Sequence, residues 1–370
     1  MSNTVGILTY HGVYNCGAVL QALALQRAIA DLGHSCTVID YRDPTDEAYR
    51  FFRAPLNRTG ISYDILKLLN VRSHARSRKR FDRFRSAHLS LTSRRFRSPD
   101  ELLHADSQFD VYVSGSDQVW RPVSLDGASA RVYFQDFVTS GRRVAYAPSF
   151  GVSQIPDRLR VRTRGYLSRF QFLSAREDTG CSIITDLTGR RAEHVLDPTL
   201  LRRAPEYDKV AVEPGLREPY ILLYPMLWSE RLRDLALHAR SRLKMPIVAV
   251  LPDHFAPWRF SFADHLVYDA GPAEFLGWMK GAAFVCTNSF HGTCFSLIYR
   301  KAFLGVPHVG TATRTVSLLK RLGLLTRLVD DSRGLESGDA IIDPIDYTLV
   351  EPRLQEAVGG SLDYLRRALA

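Results

Sequence analysis

The sequence contains no apolar run of about eighteen residues, so nothing in it reads as a membrane-spanning helix. No secretory leader is expected. The opening MSNTVGILTY has no basic region followed by an apolar stretch and a cleavage site, and a cytoplasmic location is the expectation. Cysteine is scarce. Cys16, Cys36, Cys181, Cys286 and Cys294 are odd in number and show no CxxC spacing, so neither a disulfide framework nor a zinc site is expected, and no metal-ligand set is visible. The GxGxxG and Walker spacings are missing as well, which removes a simple nucleotide fingerprint. There is no short-period repeat and no low-complexity tract.

What is present is a chain of 370 residues, 45% hydrophobic, which is more than one core usually serves and points to two domains. The net charge of +10 calls for an anionic partner without saying which. Much of it sits in residues 72–97, with ten Lys or Arg against the single Asp82. Phe81 and Phe84 fall three apart there, so the stretch reads as a basic amphipathic helix over the surface, inside an insertion at about 62–97. A solvated helix is the ordinary reading. Peripheral contact with anionic lipid at the inner face of the membrane, or with an acidic carrier, is the other, and nucleic acid is not expected.

Along the chain, an apolar strand at 5–10, a helix at 17–32 and a strand at 36–41 form a βαβ unit. Further strands end at the loops beginning Gly115, Pro148 and Arg176. A polar, proline-containing linker occupies 201–217, after which strand and helix alternate again. The expected fold class is α/β, with two Rossmann-like, doubly wound parallel-sheet domains facing a cleft. The domains are placed at 1–201 (acceptor side) and 218–345 (donor side), with a helix at 346–370 packing back on the first.

Ligands of such sheets sit beyond the carboxyl ends of the strands, and four loops there carry unusual polarity. In His11-Gly12-Val13-Tyr14-Asn15-Cys16-Gly17, Gly17 would permit close backbone approach at a helix N-terminus, and Asn15 would otherwise only cap that helix. Gly115-Ser116-Asp117-Gln118-Val119-Trp120 places polar groups straight after a strand, with Trp120 as a sugar platform or a core residue. In Ser174-Ala175-Arg176-Glu177, Ser174 and Glu177 match a capping box, leaving Arg176 in the first helical turn to bind a carboxylate or phosphate with its fork. Asn288-Ser289-Phe290-His291-Gly292-Thr293 puts His291 at a helix N-terminus, where an imidazole can hold an anion or exchange a proton with it.

Taken in order, ILTYHGVYNCGAVLQA, VSGSDQVW, LSARE, LDPTLL and TNSFHGT resemble the polysaccharide pyruvyl transferase family over roughly residues 5 to 325. The resemblance implies a fold similar to the two-domain GT-B glycosyltransferases and transfer of pyruvate from phosphoenolpyruvate to a sugar diol as a cyclic ketal. It implies no further cofactor. The partners would be phosphoenolpyruvate and a sugar or lipid-linked oligosaccharide acceptor of exopolysaccharide or cell-envelope biosynthesis. Carried over by residue, the family's positions fall on Arg176, His291, Tyr14, Asn15 and Arg314. Arg176 and Arg314 would bind the donor, joined by Ser289, Gly292 and Thr293 from the polar histidine loop. Tyr14 and Asn15 would bind the acceptor, joined by Ser116, Gln118 and Trp120 from the loop read above. His291 would act as acid or base, and Asp117 would orient or deprotonate the acceptor. Where many characterised members read Arg-Leu-His, this sequence has Ser289-Phe290-His291, so one cation is missing from that loop. Two rival readings are a GT-B glycosyltransferase using a nucleotide sugar, with Glu274 as its ribose ligand, and a non-catalytic protein that holds an anionic glycan or lipid through residues 72–97.

Overall fold

The computed structural model describes residues 2–42, 71–105, 109–122, 129–252, 255–307, 312–329 and 342–370. The first nine residues of the proposed basic insertion, 62–70, lie outside them. In the N-terminal lobe, β1 (Thr4–Leu8), β2 (Ser35–Val38), β3 (Val111–Ser114) and β4 (Arg142–Ala145) form a parallel sheet in the order β2-β1-β3-β4. A second parallel pair, β5 (Ser174–Ala175) and β6 (Glu193–His194), continues it beyond β4 through a bridge between Val144 and Phe172. In the C-terminal lobe, β7 (Ile221–Tyr224), β8 (Ile247–Val250), β9 (His265–Val267), β10 (Phe284–Thr287) and β11 (Ala302–Gly305) are also parallel, in the order β11-β10-β7-β8-β9. The segments ILLY, IVAV and FVCT are buried at every position, which is why they read as continuous apolar runs instead of alternating ones. This is the α/β architecture of two Rossmann-like, parallel-sheet lobes expected from the sequence, and its strand order reverses at β1/β3 in one lobe and at β7/β10 in the other.

Helix α1 (Cys16–Asp31) is apolar on nearly all sides because it serves both lobes. Val19, Leu20 and Leu23 pack with Tyr224, Phe275 and Leu276 of the C-terminal lobe, while Leu25, Ala28 and Ile29 pack on Val5, Ile7 and Val111 of its own. Asn15 caps it, its Oδ1 accepting from the Ala18 N–H at 3.1 Å.

The basic helix α2 (Val71–His88) does not simply cover the surface. Phe81 and Phe84 enter the core shared by the two lobes, a burial that contributes about 1.5–3 kcal/mol each. Its cations reach across the joint. Arg76 and Arg80 pair with Asp269 at 3.2 and 3.0 Å, Arg80 pairs with Glu274 at 3.0 Å, and Ser77 donates to the Ala270 carbonyl at 3.0 Å. Glu274 lies in the first turn of α6 (Pro272–Gly281). Arg72, Lys79 and Arg83 remain exposed.

The remaining helices long enough to matter here are α3 (Asp157–Leu167), α4 (Asp178–Thr188), α5 (Glu230–Leu243), α7 (Phe290–Ile298), α8 (Thr313–Leu322) and α9 (Tyr347–Leu369). Two of them lock the lobes together. On α8, Ser317 Oγ accepts from the Asp178 N–H at 3.1 Å and Arg321 donates to the His194 carbonyl at 3.1 Å. From α9, the Tyr364 hydroxyl donates to the Ala145 carbonyl at 2.8 Å, and Leu365, Ala368 and Leu369 pack under β1, β3 and β4. The segment 201–217, read as a linker, contains a short helix (Ala204–Asp208), and its Val212 N–H bonds to Ala273 of α6.

Candidate active site between the two sheets

The carboxyl ends of the two sheets meet, and a single carboxylate joins them. Asp197, which follows β6, is fully buried. Its Oδ2 accepts from Arg176 Nη1 at 2.7 Å and from Ser116 Oγ at 2.8 Å, and lies 3.6 Å from Nε2 of His291 in the other lobe. Its Oδ1 accepts from the Thr199 N–H at 3.0 Å and the Thr199 hydroxyl at 2.7 Å. Burial alone would raise this carboxyl's pKa. The His291 imidazole, the Arg176 guanidinium and Thr199 outweigh it and hold Asp197 well below the usual carboxylate range.

Arg176 is buried against the same group. Burial works against its charge, but Asp197, Asp117 and Glu177 more than offset that and raise its pKa. It precedes α4 instead of lying in its first turn, and the expected capping box does not form. Ser174 Oγ instead donates to the Ala145 carbonyl at 2.6 Å. Glu177 occupies the N-cap position without capping, and its Oε1 takes the Ser149 hydroxyl at 2.8 Å and the Phe150 N–H at 3.1 Å. Burial pushes the Glu177 carboxyl up against the pull of Arg176 and Arg314.

His291 is held by α7, which begins directly after β10. Ser289 caps that helix through the Gly292 N–H at 3.2 Å, and the Thr293 hydroxyl bonds to the Ser289 carbonyl at 3.2 Å. Gly292 packs on Thr287 and Tyr224 so closely that a Cβ there would overlap the Thr287 hydroxyl. These three expected donor ligands therefore position the histidine with the groups seen here. Gly17 does allow a close approach, and the group that approaches is His291: a Cβ on Gly17 would overlap the imidazole.

Ser289 stands where the extra cation of the motif is missing, and Phe290 follows it. The guanidinium carbons of Arg176 and Arg314 lie 4.4 and 5.6 Å from its ring centroid, so an aromatic face holds two cations together. Burial, then the like charges of Arg176 and Arg121, push the Arg314 guanidinium down to about 10 although Asp117 and Glu177 oppose them. Arg314 is the guanidinium here that a bound anion would relieve most. Among the described residues, buried polar atoms without hydrogen-bond partners gather here: Nε and Nη2 of Arg176, Nε2 of Gln118, Nε of Arg121, Oε2 of Glu177 and Nε2 of His291. Buried polar groups are nearly always paired, so such a cluster makes this joint the candidate site.

The acceptor-side residues divide. Asp117 Oδ1 lies 3.7 Å from Arg176 Nη2, and its backbone is left-handed at φ +80, a strained state for aspartate. Ser116 is spent on Asp197. Tyr14 is 38% exposed, with the Arg78 and Arg85 guanidinium groups 4.5 and 5.1 Å from its ring centroid. Asn15 uses its side chain on the helix cap. Trp120 offers no platform: it is 0% exposed, stacked on Phe134 at 4.8 Å and bonded to the Tyr133 carbonyl. Asp197, Glu177 and Arg121 are site residues the sequence reading missed. Asp197 did lie in view, inside LDPTLL. Glu274 is occupied as well, its Oε2 accepting from the Gly271 N–H at 3.0 Å besides pairing with Arg80.

A family model described as polysaccharide pyruvyl transferase matches residues 15–308. The chain belongs to the polysaccharide pyruvyl transferase family. The match spans the Asn15–Gly17 helix start, Asp117, Arg176, Asp197 and His291, so both halves of the joint belong to the family's region, while Arg314 lies just beyond it. No curated protein sequence matches the chain. Two similar solved structures are an alpha-glucosyltransferase in complex with UDP and a 13-mer DNA containing a HMU base, and the UDP-GlcNAc 2-epimerase from Methanocaldococcus jannaschii. The first is 11% identical, with a TM-score of 0.48 and coverage of 100% of this chain and 95% of that chain. The second is 11% identical, with a TM-score of 0.46 and coverage of 98% and 93%. Among the described residues, no helix is long and apolar enough to cross a membrane, and no group of His, Cys, Asp or Glu is arranged to hold a metal ion.

One neighbour of the site makes its joint sensitive to acid. His194 Nε2 lies 3.2 Å from the Arg176 carbonyl, which can only accept, so this nitrogen carries the proton in the neutral ring. Burial, then the Arg321 charge, lower the imidazole's pKa from its ordinary 6.5. The unfolded chain therefore binds this proton first as pH falls, and stability drops below pH 6.5 until the folded form is protonated too. His194→Gln should show a smaller loss of thermal midpoint between pH 7.5 and pH 5.5 than the unaltered protein, a difference that paired melting curves measure directly.

Proposed function

We propose that this transferase moves pyruvate from phosphoenolpyruvate to two hydroxyls of a sugar, forming a cyclic ketal in a bacterial glycan or glycan precursor. The observation that carries the reading is the pair of guanidinium groups, Arg176 and Arg314, gathered on Phe290 at the start of the helix that bears His291. A small molecule with a carboxylate and a phosphate suits two such forks and a helix N-terminus. Arg176 uses Nη1 on Asp197 and keeps Nη2 and Nε for a ligand.

The steps balance without a further reactant. A proton adds to the methylene carbon, the central carbon becomes electrophilic, and one sugar hydroxyl attacks it. The carbon–oxygen bond to phosphate breaks, the second hydroxyl closes the ring, and of the two hydroxyl protons one replaces the proton spent on the methylene and the other leaves with phosphate. His291 is the acid in this scheme. Its Nε2 sits 3.6 Å from Asp197 Oδ2, beyond ordinary hydrogen-bond length, and has no hydrogen-bond partner among the described residues. Asp117, 3.7 Å from Arg176, orients the acceptor hydroxyl in this scheme.

Incubation with phosphoenolpyruvate and lipid-linked or nitrophenyl glycosides should release phosphate in step with a product bearing a pyruvyl ketal, read by mass. His291→Ala should slow that transfer by about 10²–10⁴-fold with the fold intact. Phosphate release without ketal, or turnover only with a nucleotide sugar, would refute the reading. The nucleotide-sugar alternative is weakened because its ribose candidate, Glu274, is tied to Arg80 and Gly271. The binding-protein alternative loses cations of residues 72–97 to internal contacts: Arg76 and Arg80 to Asp269, and Arg85 to the Val13 carbonyl at 3.2 Å.

A further inference from the structure

Beyond the reacting centre, the carboxyl edge of the C-terminal sheet carries an aromatic surface that the proposed chemistry does not use. The loop after β10 is tied to the loop after β7: Asn288 Oδ1 accepts from the Met226 N–H at 2.7 Å, and its Nδ2 donates to the Leu227 carbonyl at 2.8 Å. Asn288 is three residues from His291. Leu227 is 47% exposed, and Trp228 follows it. The Arg259 guanidinium lies 5.3 Å from the Trp228 ring centroid, and Trp228 meets Phe260 edge-on at 5.2 Å. Next to Arg259, Trp258 is 64% exposed in the turn Pro257–Phe260, which follows β8. The turn that carries this exposed aromatic is itself packed, Phe260 meeting Phe255 edge-on at 5.2 Å as well as Trp228, so the indole stands on an ordered element.

We infer that Trp258, Arg259 and Leu227 form an extended subsite for the saccharide chain of the acceptor, outside the sugar that receives pyruvate. This rests on the proposed transfer and adds to it the residues that would hold the saccharide chain outside the reacting sugar. A pyranose has an apolar face of C–H bonds and a rim of hydroxyls, and the patch offers the exposed Trp258 indole and, one residue on, the Arg259 guanidinium held over Trp228. Its continuity with the histidine loop, through Asn288 and Leu227, puts it where the rest of a glycan would run once its terminal diol lies at the site. A lipid surface fits less well. Trp228 Nε1 donates at 3.0 Å to Glu230, an exposed carboxylate that anionic headgroups would repel.

The test compares Trp258→Ala with the unaltered full chain, using phosphoenolpyruvate with a nitrophenyl monosaccharide and with soluble galactose- or glucosamine-terminated tetrasaccharides. The variant should lose about tenfold in kcat/KM through KM on the tetrasaccharides and stay unchanged on the monosaccharide. Equal rates on both acceptors, or equal losses on both, would overturn the inference. Saturation-transfer NMR with the tetrasaccharides alone, without donor, keeps the two readings apart. Trp258-dependent saccharide binding would support the subsite even if ketal formation failed. Trp258-dependent sedimentation with phosphatidylglycerol vesicles, with no saccharide binding, would overturn it in favour of a membrane contact.

Discussion

Asp197→Ala is expected to lower unfolding stability by about 3–5 kcal/mol and to abolish transfer, because it leaves the Arg176 guanidinium buried without its carboxylate. The effect should be large for a local reason. One carboxylate accepts from Ser116, Arg176 and both donors of Thr199, and lies against His291, so its loss unpairs groups from three N-terminal segments and frees the C-terminal histidine. Urea unfolding measures the first part. The double variant Asp197→Leu with Arg176→Met should recover much of the stability, since a buried pair can be replaced by apolar side chains of similar size, and should recover none of the transfer. A single variant within about 1 kcal/mol of the unaltered protein would show that the pair does not hold the joint.

Gly17→Ala should cut transfer by about 100-fold while costing about 1–3 kcal/mol of stability. Alanine is the better helix former by about 1 kcal/mol, so α1 taken alone would gain from the change. What opposes it is the other lobe: the new Cβ would overlap the His291 ring, and either the ring or the helix must move. Steady-state rates and a melting curve separate the two effects. Combining Gly17→Ala with His291→Ala should erase the stability cost, because the colliding ring is gone. Unchanged rates in the single variant would show that His291 acts from a position indifferent to α1.

The readings that succeeded and failed have common causes. The strands were legible because ILLY, IVAV and FVCT are buried on both faces, a pattern that local sequence carries in full. Arg176 and His291 stood out because each follows a strand end in a polar setting. Trp120 was ambiguous, since an indole suits a core and a sugar equally, and only its stacking on Phe134 decides. Ser174 and Glu177 had the spacing of a cap, but β4 and the turn at 149–150 offered them better partners. The basic helix was correctly amphipathic, yet what its two phenylalanines would face was not written in it.

Sequence alone determined the parallel α/β class, the ordered family motifs and the polar loops at strand ends, because these depend on burial patterns and turn chemistry within short stretches. Tertiary structure decided the rest: that Asp197 takes the Arg176 guanidinium and lies against His291, that Gly17 makes room for an imidazole, and that Phe290 gathers two arginines. Each of those is a contact between residues distant in the chain, and its energy exists only once the two sheets have met.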